Sequence, residues 1–181
     1  PIRAQLKAGG TMLAVGAGGP MGQMHMQRAL EGADRPAKIV ASERNPKRLD
    51  VLTDKFADEA DRLGVELIPF AFGDFPTVET VNQALMLLTD GCGYDDVVVL
   101  APSAAAAEAA MPLLGFGGMM VIFAGLPRGT MAAFDINQIV QRGVRFTGTS
   151  GSSIEDLRAV LNLVERHQLA TNRSVAAIAG L

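Results

Sequence analysis

The residues of this chain best suited to bind an anion stand in one glycine-rich stretch, residues 11–22, which reads Thr-Met-Leu-Ala-Val-Gly-Ala-Gly-Gly-Pro-Met-Gly. Its uncharged apolar run, residues 12–15, predicts a strand that is buried on both faces. Pro20 suits the first turn of a helix, which we expect to extend to about Glu31. A strand, a glycine turn and a helix N-terminus together offer free backbone N–H groups and the positive end of the helix dipole. This arrangement is typical of a dinucleotide pyrophosphate site.

The glycine spacing fits the dinucleotide pattern in two frames, each with one mismatch. Read from Gly16, the third glycine is replaced by Met21, and read from Ala17, the first glycine is replaced by alanine. We favour the second frame because it keeps Gly19, where backbone approaches phosphate, and Gly22, where helix packs on strand. In that frame Gly16 precedes the turn. A tight strand-to-helix turn without a ligand is the alternative that the glycines alone leave open.

An acidic residue follows the second predicted strand at the expected distance. Glu43 lies about 20 residues beyond the glycines, where dinucleotide folds place the acid that accepts hydrogen bonds from the ribose hydroxyls. A carboxylate there repels a 2′-phosphate, so we expect NAD to be preferred to NADP. The neighbouring Arg44, with Arg48 one helical turn on, favours the opposite choice, since NADP enzymes use arginine at this point. A surface glutamate before a helix is the other interpretation of Glu43.

Composition excludes several classes of protein. A net charge of −3 over 181 residues argues against a nucleic-acid surface, and no apolar run is long enough to span a membrane. The single cysteine, Cys92, rules out a disulfide within the chain and a cysteine-rich zinc site, and we expect a cytoplasmic protein. The two histidines, His25 and His167, have no carboxylate or cysteine at ligand spacing, so structural roles are expected for both.

Six strands alternating with helices predict an α/β fold with a doubly wound parallel six-stranded sheet (Rossmann fold) in the order 3-2-1-4-5-6. The predicted strands are residues 12–15, 38–42, 65–70, 96–100, 119–124 and 144–148. Pro69 favours a sheet edge for the third strand. We expect the fourth helix to end near Gly115 and the last to begin in a capping box of residues 152–155.

The ligand should lie where the strand order reverses, at the carboxyl ends of the first and fourth strands. The expected cofactor-binding residues are Ala17, Gly18, Gly19, Pro20, Met21, Gly22, Glu43, Arg44, Ala101, Pro102, Gly125, Leu126 and Thr149.

Four segments carry a resemblance to a known family. They are Val-Gly-Ala-Gly-Gly-Pro-Met-Gly, Thr-Asp-Gly-Cys-Gly-Tyr-Asp-Asp-Val-Val-Val, Gly-Phe-Gly-Gly-Met-Met-Val and Phe-Thr-Gly-Thr-Ser-Gly. Together they resemble the cofactor domain of medium-chain, zinc-type alcohol dehydrogenases, and most of all the sorbitol and L-sorbose-1-phosphate dehydrogenase branch. The resemblance covers residues 5–181. It implies that residues 1–181 form the NAD(P)-binding domain of an alcohol, polyol or sugar-phosphate dehydrogenase.

The same resemblance implies a second, GroES-like domain that supplies the catalytic zinc, the proton relay and most of the substrate pocket. We therefore expect this chain to be a fragment with no catalytic residue and no metal ligand of its own, inactive when alone. The implied partners are a small alcohol or sugar-phosphate substrate and a second copy, paired along the sixth strand.

Two other functions remain open from the residues. A nucleotide-sensing regulatory module would use the same crevice without chemistry. A methyltransferase also combines a glycine loop with an acid after the second strand, although a parallel sixth strand and the spacing of Gly19 and Gly22 argue against it.

Overall fold

The structure, a computed structural model, describes residues 5–172. It is a six-stranded parallel sheet in the order β3-β2-β1-β4-β5-β6, which confirms the predicted doubly wound fold. The strands are β1 (Thr11–Val15), β2 (Lys38–Glu43), β3 (Glu66–Ala71), β4 (Tyr94–Val99), β5 (Leu114–Ile122) and β6 (Arg145–Gly148). The helices are α1 (Pro20–Glu31), α2 (Pro46–Arg62), α3 (Val78–Leu87), α4 (Ala104–Ala110), α5 (Ile136–Arg142) and α6 (Ile154–Glu165).

The central strand β1 is buried on both faces, as its uncharged sequence predicts. Met12 and Ala14 face one layer of helices, where they join a core with Phe56 of α2. Leu13 faces the opposite layer and joins a core with Leu85 of α3. Two cores on opposite sides of one strand fix the register of the sheet, and with it the position of the turn that follows β1.

The helix termini follow from local residues. Asn45 caps α2 by accepting a hydrogen bond from the Lys47 N–H at 3.0 Å, with Pro46 in the first turn as predicted. The capping box of α6 pairs Ser153 with Asp156. The prediction that it spans residues 152–155 is therefore displaced by one residue.

The largest difference from the predicted elements lies between α4 and β5. Helix α4 ends at Ala110, a single 3-10 turn spans Met111–Leu113, and β5 begins at Leu114, where continuing helix was expected. Pro112 lacks the N–H that a further helical turn requires. The early part of β5 runs against the start of β4, and the register shifts between Tyr94 and Asp96. The carboxyl end of β5, which faces the predicted site, is unaffected.

Candidate functional site

The turn after β1 lies at the point where the strand order reverses. The N–H groups of Gly16 and Ala17 both donate to the Ser42 carbonyl of β2, at 2.9 and 3.0 Å. On the other side, the Leu100 N–H donates to the Val15 carbonyl at 2.9 Å. The chain after β1 is thus held between the ends of β2 and β4, which is where open α/β sheets bind ligands.

Gly16 makes the tight turn, and the expectation that it precedes the turn is wrong. Its φ is +83°, a left-handed conformation that costs other residues about 1–2 kcal/mol. A β-carbon there would also lie 3.3 Å from the Ala101 nitrogen. Ala17 was expected to take the place of the first glycine. It is buried, and it does not have the positive φ of the tight turn.

Gly22 has the packing role that was predicted for it. A β-carbon at this position would overlap the backbone of Ala17, so only glycine lets α1 pack against the turn. The tight-turn glycine and the packing glycine are Gly16 and Gly22, one residue further apart than the usual pattern. The turn therefore contains one extra residue, which explains why each frame shows a mismatch.

The N-terminus of α1 opens into free space. Gly19, the N-cap residue, has an extended backbone, and a β-carbon on it would have no neighbour within 4 Å. No described side chain caps this end, and the first turn carries no acidic residue. Its backbone donors and positive dipole are therefore available to an anion.

Glu43 lies against the glycine turn. It is 8% exposed, and its Oε1 accepts hydrogen bonds from the N–H groups of Arg44 and Asn45 at 2.9 and 3.3 Å. Its Oε2 is 2.9 Å from the point that a β-carbon on Gly18 would occupy. The carboxylate is thus fixed in place by one oxygen while the other faces the turn.

Two arginines lie near Glu43 in the chain. Arg44 and Arg48 are exposed, and neither forms an ion pair with another residue of the described part of the chain. The Cβ of Arg48 lies 2.6 Å from the point that a β-carbon on Gly18 would occupy. Glu43 and Arg48 therefore both approach Gly18, and Arg44 is next to Glu43 in the chain.

A cavity of about 450 Å³ extends from this end of the sheet between α3 and α4. Its walls include residues at or just beyond the carboxyl ends of β1, β2 and β3, among them Val15, Ser42, Arg44 and Phe72. The opposite wall comes from Val81 of α3. The cavity is large enough for a purine ring and adjoins the glycine turn through Val15 and Ser42.

The remaining predicted residues lie along the same edge of the sheet. Ala101 faces Gly16, and Pro102 follows it. Gly125 and Leu126 come after β5, and Thr149 follows β6, where its N–H donates to the Ile122 carbonyl at 3.1 Å. The structure thus brings residues 17–22, Glu43, Arg44 and Ala101 together, with Pro102 next to Ala101, and places Gly125, Leu126 and Thr149 after the ends of β5 and β6.

Two polar residues at the turn were not predicted from the sequence. Gln23 of α1 contacts the Gly18 carbonyl, and Lys55 of α2 contacts Gln23. No local motif indicates this pair, since the two residues are 32 positions apart.

His25 of α1 is buried and contacts the ends of two elements. Its Nδ1 donates to the Met21 carbonyl at 2.8 Å, and its ring centroid lies 4.9 Å from that of Phe123. Burial lowers its pKa. Its Nε2 has no hydrogen-bond partner among the described residues. These contacts support the structural role expected for this histidine.

The described residues do not fit a catalytic zinc. Within residues 5–172, no three His, Cys, Asp or Glu side chains come together, and a catalytic zinc needs about three protein ligands. The same part of the chain contains no helix of the length and apolarity that crossing a bilayer requires.

Comparison with known proteins shows similarity to dehydrogenases and a reductase. The profile of the family described as zinc-binding dehydrogenase matches residues 20–166. The chain is 29% identical to L-sorbose 1-phosphate reductase of Klebsiella pneumoniae over 174 residues, which are 95% of this chain and 40% of that protein. It is also 29% identical to mannitol-1-phosphate 5-dehydrogenase of Aliivibrio fischeri, covering 97% of this chain and 41% of that protein. The chain therefore spans about two fifths of the length of these relatives.

A solved structure shares the fold. A putative zinc-binding dehydrogenase from Sinorhizobium meliloti, bound to NADP, superimposes with a TM-score of 0.71 at 23% identity, over 93% of this chain and 45% of that one.

Proposed function

Because the chain belongs to the zinc-binding dehydrogenase family, we propose that its crevice at the carboxyl ends of β1, β2 and β4 binds a nicotinamide adenine dinucleotide. The observation that carries this proposal is the uncapped N-terminus of α1. It lies at the reversal of strand order, with open space at Gly19 and a glycine in contact with the turn at position 22.

Each part of the dinucleotide has a candidate position. The pyrophosphate would bind the backbone at Gly19 and the first turn of α1, where the dipole favours negative charge. The adenosine ribose would donate its hydroxyls to Glu43. The adenine ring would enter the cavity beside Arg44 and Phe72, whose walls are mostly apolar, as a flat aromatic base requires.

The nicotinamide ring would lie further along the edge. Pro102, Gly125, Leu126 and Thr149 follow β4, β5 and β6 at this edge and are the residues available to contact it. When bound, the nicotinamide supplies hydride transfer, and the protein supplies binding and orientation. We propose that the residues of this chain supply binding and orientation.

The parent protein is proposed to be an alcohol or polyol dehydrogenase with a small polyol or sugar phosphate as substrate. Two relatives with names of this kind, L-sorbose 1-phosphate reductase and mannitol-1-phosphate 5-dehydrogenase, support the substrate class. The residues that select a substrate would come from a second domain, as would the zinc ligands.

NAD is proposed as the preferred cofactor. Glu43 supports this choice, because its buried carboxylate is fixed beside the turn and would face a 2′-phosphate directly. Arg44 and Arg48 favour NADP, but both are exposed, and their charges are screened by solvent.

A homodimer and a cytoplasmic location complete the proposal. Among residues 5–172, strand β6 is an edge of the sheet, and the backbone groups on its open side are suited to pairing with a second copy. Arg145, which could guard this edge, instead donates to the Gly117 carbonyl of its own sheet at 3.3 Å. Sedimentation at micromolar concentration should show a dimer, and a monomer there would refute the pairing.

The lone, exposed Cys92 fits a reducing compartment.

Titration of NADH into the 181-residue chain, followed by nicotinamide fluorescence, tests the central proposal. We expect saturable binding of one NADH per chain and no turnover of polyols or their phosphates. Failure of both NADH and NADPH to bind would overturn it.

A further inference from the structure

We propose that Gln23 and Lys55 are positioning residues that orient the Gly18–Gly19 peptide toward the pyrophosphate. This inference rests on the proposed dinucleotide site. It assigns a role to two side chains that no glycine pattern includes and that do not need to touch the cofactor themselves.

Gln23 contacts the turn with both its backbone and its side chain. Its backbone N–H donates to the Gly19 carbonyl at 3.0 Å, as the first hydrogen bond of α1. Its Nε2 donates to the Gly18 carbonyl at 3.4 Å. Two consecutive carbonyls are therefore directed toward one residue on the helix side of the turn.

The orientation of these carbonyls determines where the next donor points. In a planar trans peptide the C=O and N–H bonds point in opposite directions. Because the Gly18 carbonyl points toward Gln23, the Gly19 N–H of the same peptide points away from the Gln23 side chain. The next residue, Pro20, has no N–H, so the Gly19 N–H is the last backbone donor of the turn before α1 begins.

Lys55 determines which way the Gln23 amide faces. Its Nζ donates to Gln23 Oε1 at 2.7 Å. An ammonium group is only a donor, so the amide must present its oxygen to Lys55 and its NH₂ group to Gly18. The charge also polarises the amide, which strengthens the longer hydrogen bond to the Gly18 carbonyl. Both side chains are half-buried, which limits their alternative conformations.

Helix α2 offers a matched control for the charge of Lys55. Lys47 lies on the same helix and is exposed, and its ammonium group forms no hydrogen bond or ion pair with another described residue. Lys47→Met removes the same unit charge without touching Gln23. If Lys55 acted only by adding positive charge near the phosphates, Lys47→Met and Lys55→Met would weaken binding by similar factors.

The test combines NADH titration with a measurement on the unliganded chain. Lys55→Met and Gln23→Met should each weaken NADH binding about 5- to 10-fold. Lys47→Met should weaken it less than about 2-fold. Lys55→Arg, which keeps a charged donor, should retain most of the wild-type affinity. The double variant should be no weaker than Gln23→Met alone, because Lys55 acts through Gln23. In the ¹⁵N spectrum without cofactor, the Gly19 amide should shift in Lys55→Met and not in Lys47→Met.

Three results would overturn the inference. They are wild-type affinity in Lys55→Met, additive losses in the double variant, or an unchanged Gly19 amide. The free energy of unfolding, measured in urea, should be the same in all variants. Losses of NADH affinity then report on the turn and not on folding. If the wild-type chain binds no NADH, the proposed function fails, whereas the amide spectrum still tests the orientation of the peptide.

Discussion

The backbone of Gly22 lies so close to the carbonyl of Ala17 that no β-carbon fits between them. The first turn of α1 can therefore approach the end of β1 only with glycine at this position. This contact places the helix N-terminus directly above the turn, and the anion site depends on it.

Gly22→Ala should lower the free energy of unfolding by about 1–3 kcal/mol, the usual cost of overpacking. Helix propensity predicts the opposite sign, because alanine in a helix interior is about 1 kcal/mol better than glycine. Urea denaturation decides between them. Gly151→Ala is the control, since a β-carbon there meets nothing within 4 Å. A variant at position 22 as stable as wild type would show that the contact is not tight.

Replacing Glu43 should change the choice of cofactor. At about 4 Å and an effective dielectric of about 20, two unit charges of like sign cost roughly 4 kcal/mol before screening. Even a third of this repulsion corresponds to about a tenfold difference in affinity between the two cofactors. In competitive titrations the wild type should favour NADH at least tenfold, and Glu43→Ser should move toward NADPH as Arg44 meets the 2′-phosphate.

Glu43→Gln is the matched control for this change. It keeps an oxygen to accept from the N–H groups of Arg44 and Asn45 and removes only the charge. It should lose most of the discrimination while retaining NADH binding. Tighter binding of NADPH by the wild type would reverse the assignment.

His25 should make the chain less stable in mild acid. Burial lowers its pKa, so the folded chain holds it neutral while the unfolded chain binds a proton below about pH 6.5. The free energy of unfolding should therefore fall between about pH 7 and pH 5, by at most about 1.4 kcal/mol per pH unit from this group.

Comparison of variants isolates the contribution of His25. His25→Phe keeps an aromatic ring against Phe123, and its stability should depend less steeply on pH than that of the wild type. His167→Asn is the control. It removes the other histidine, which is exposed and has a φ of +56° that asparagine tolerates, and the pH dependence of its stability should stay that of the wild type. Equal slopes for His25→Phe and wild type would contradict this prediction.

The sheet and its order could be predicted because each strand carries a local signal. The apolar run of β1 and the glycine turn after it are contiguous in sequence, and Pro69 correctly indicated that β3 is an edge strand. The start of β5 was missed because residues 114–118 lack an apolar alternation, and among them only Leu114 has a partner in β4, across a shift of register.

Within the site, features that depend on neighbouring residues could likewise be predicted from the sequence, and features that depend on long-range contacts could not. The packing role of Gly22 could be predicted from its spacing, whereas the φ of Gly16 depends on the ends of β2 and β4, which hold the turn on both sides. The contact of Lys55 with Gln23 joins two helices and leaves no pattern in either. The roles of the cofactor-binding residues stay predictions.

Substitution of Gly19 tests the anion site most directly, because it separates binding from folding. Gly19 has the extended backbone of an N-cap residue, φ −78° and ψ 170°, and no side chain in the described part of the chain caps α1. Aspartate and asparagine are both good N-cap residues and fit the open space, so Gly19→Asp and Gly19→Asn should leave the free energy of unfolding unchanged or raise it by a few tenths of a kcal/mol.

The two variants should differ in calorimetric titration with NADH. Gly19→Asp puts a carboxylate where the pyrophosphate would bind and should weaken binding at least 100-fold, about 2.8 kcal/mol. Gly19→Asn, which has nearly the same shape without the charge, should weaken it much less. NADH binding by Gly19→Asp with the affinity of the wild type would contradict the account, since the anion would then bind elsewhere.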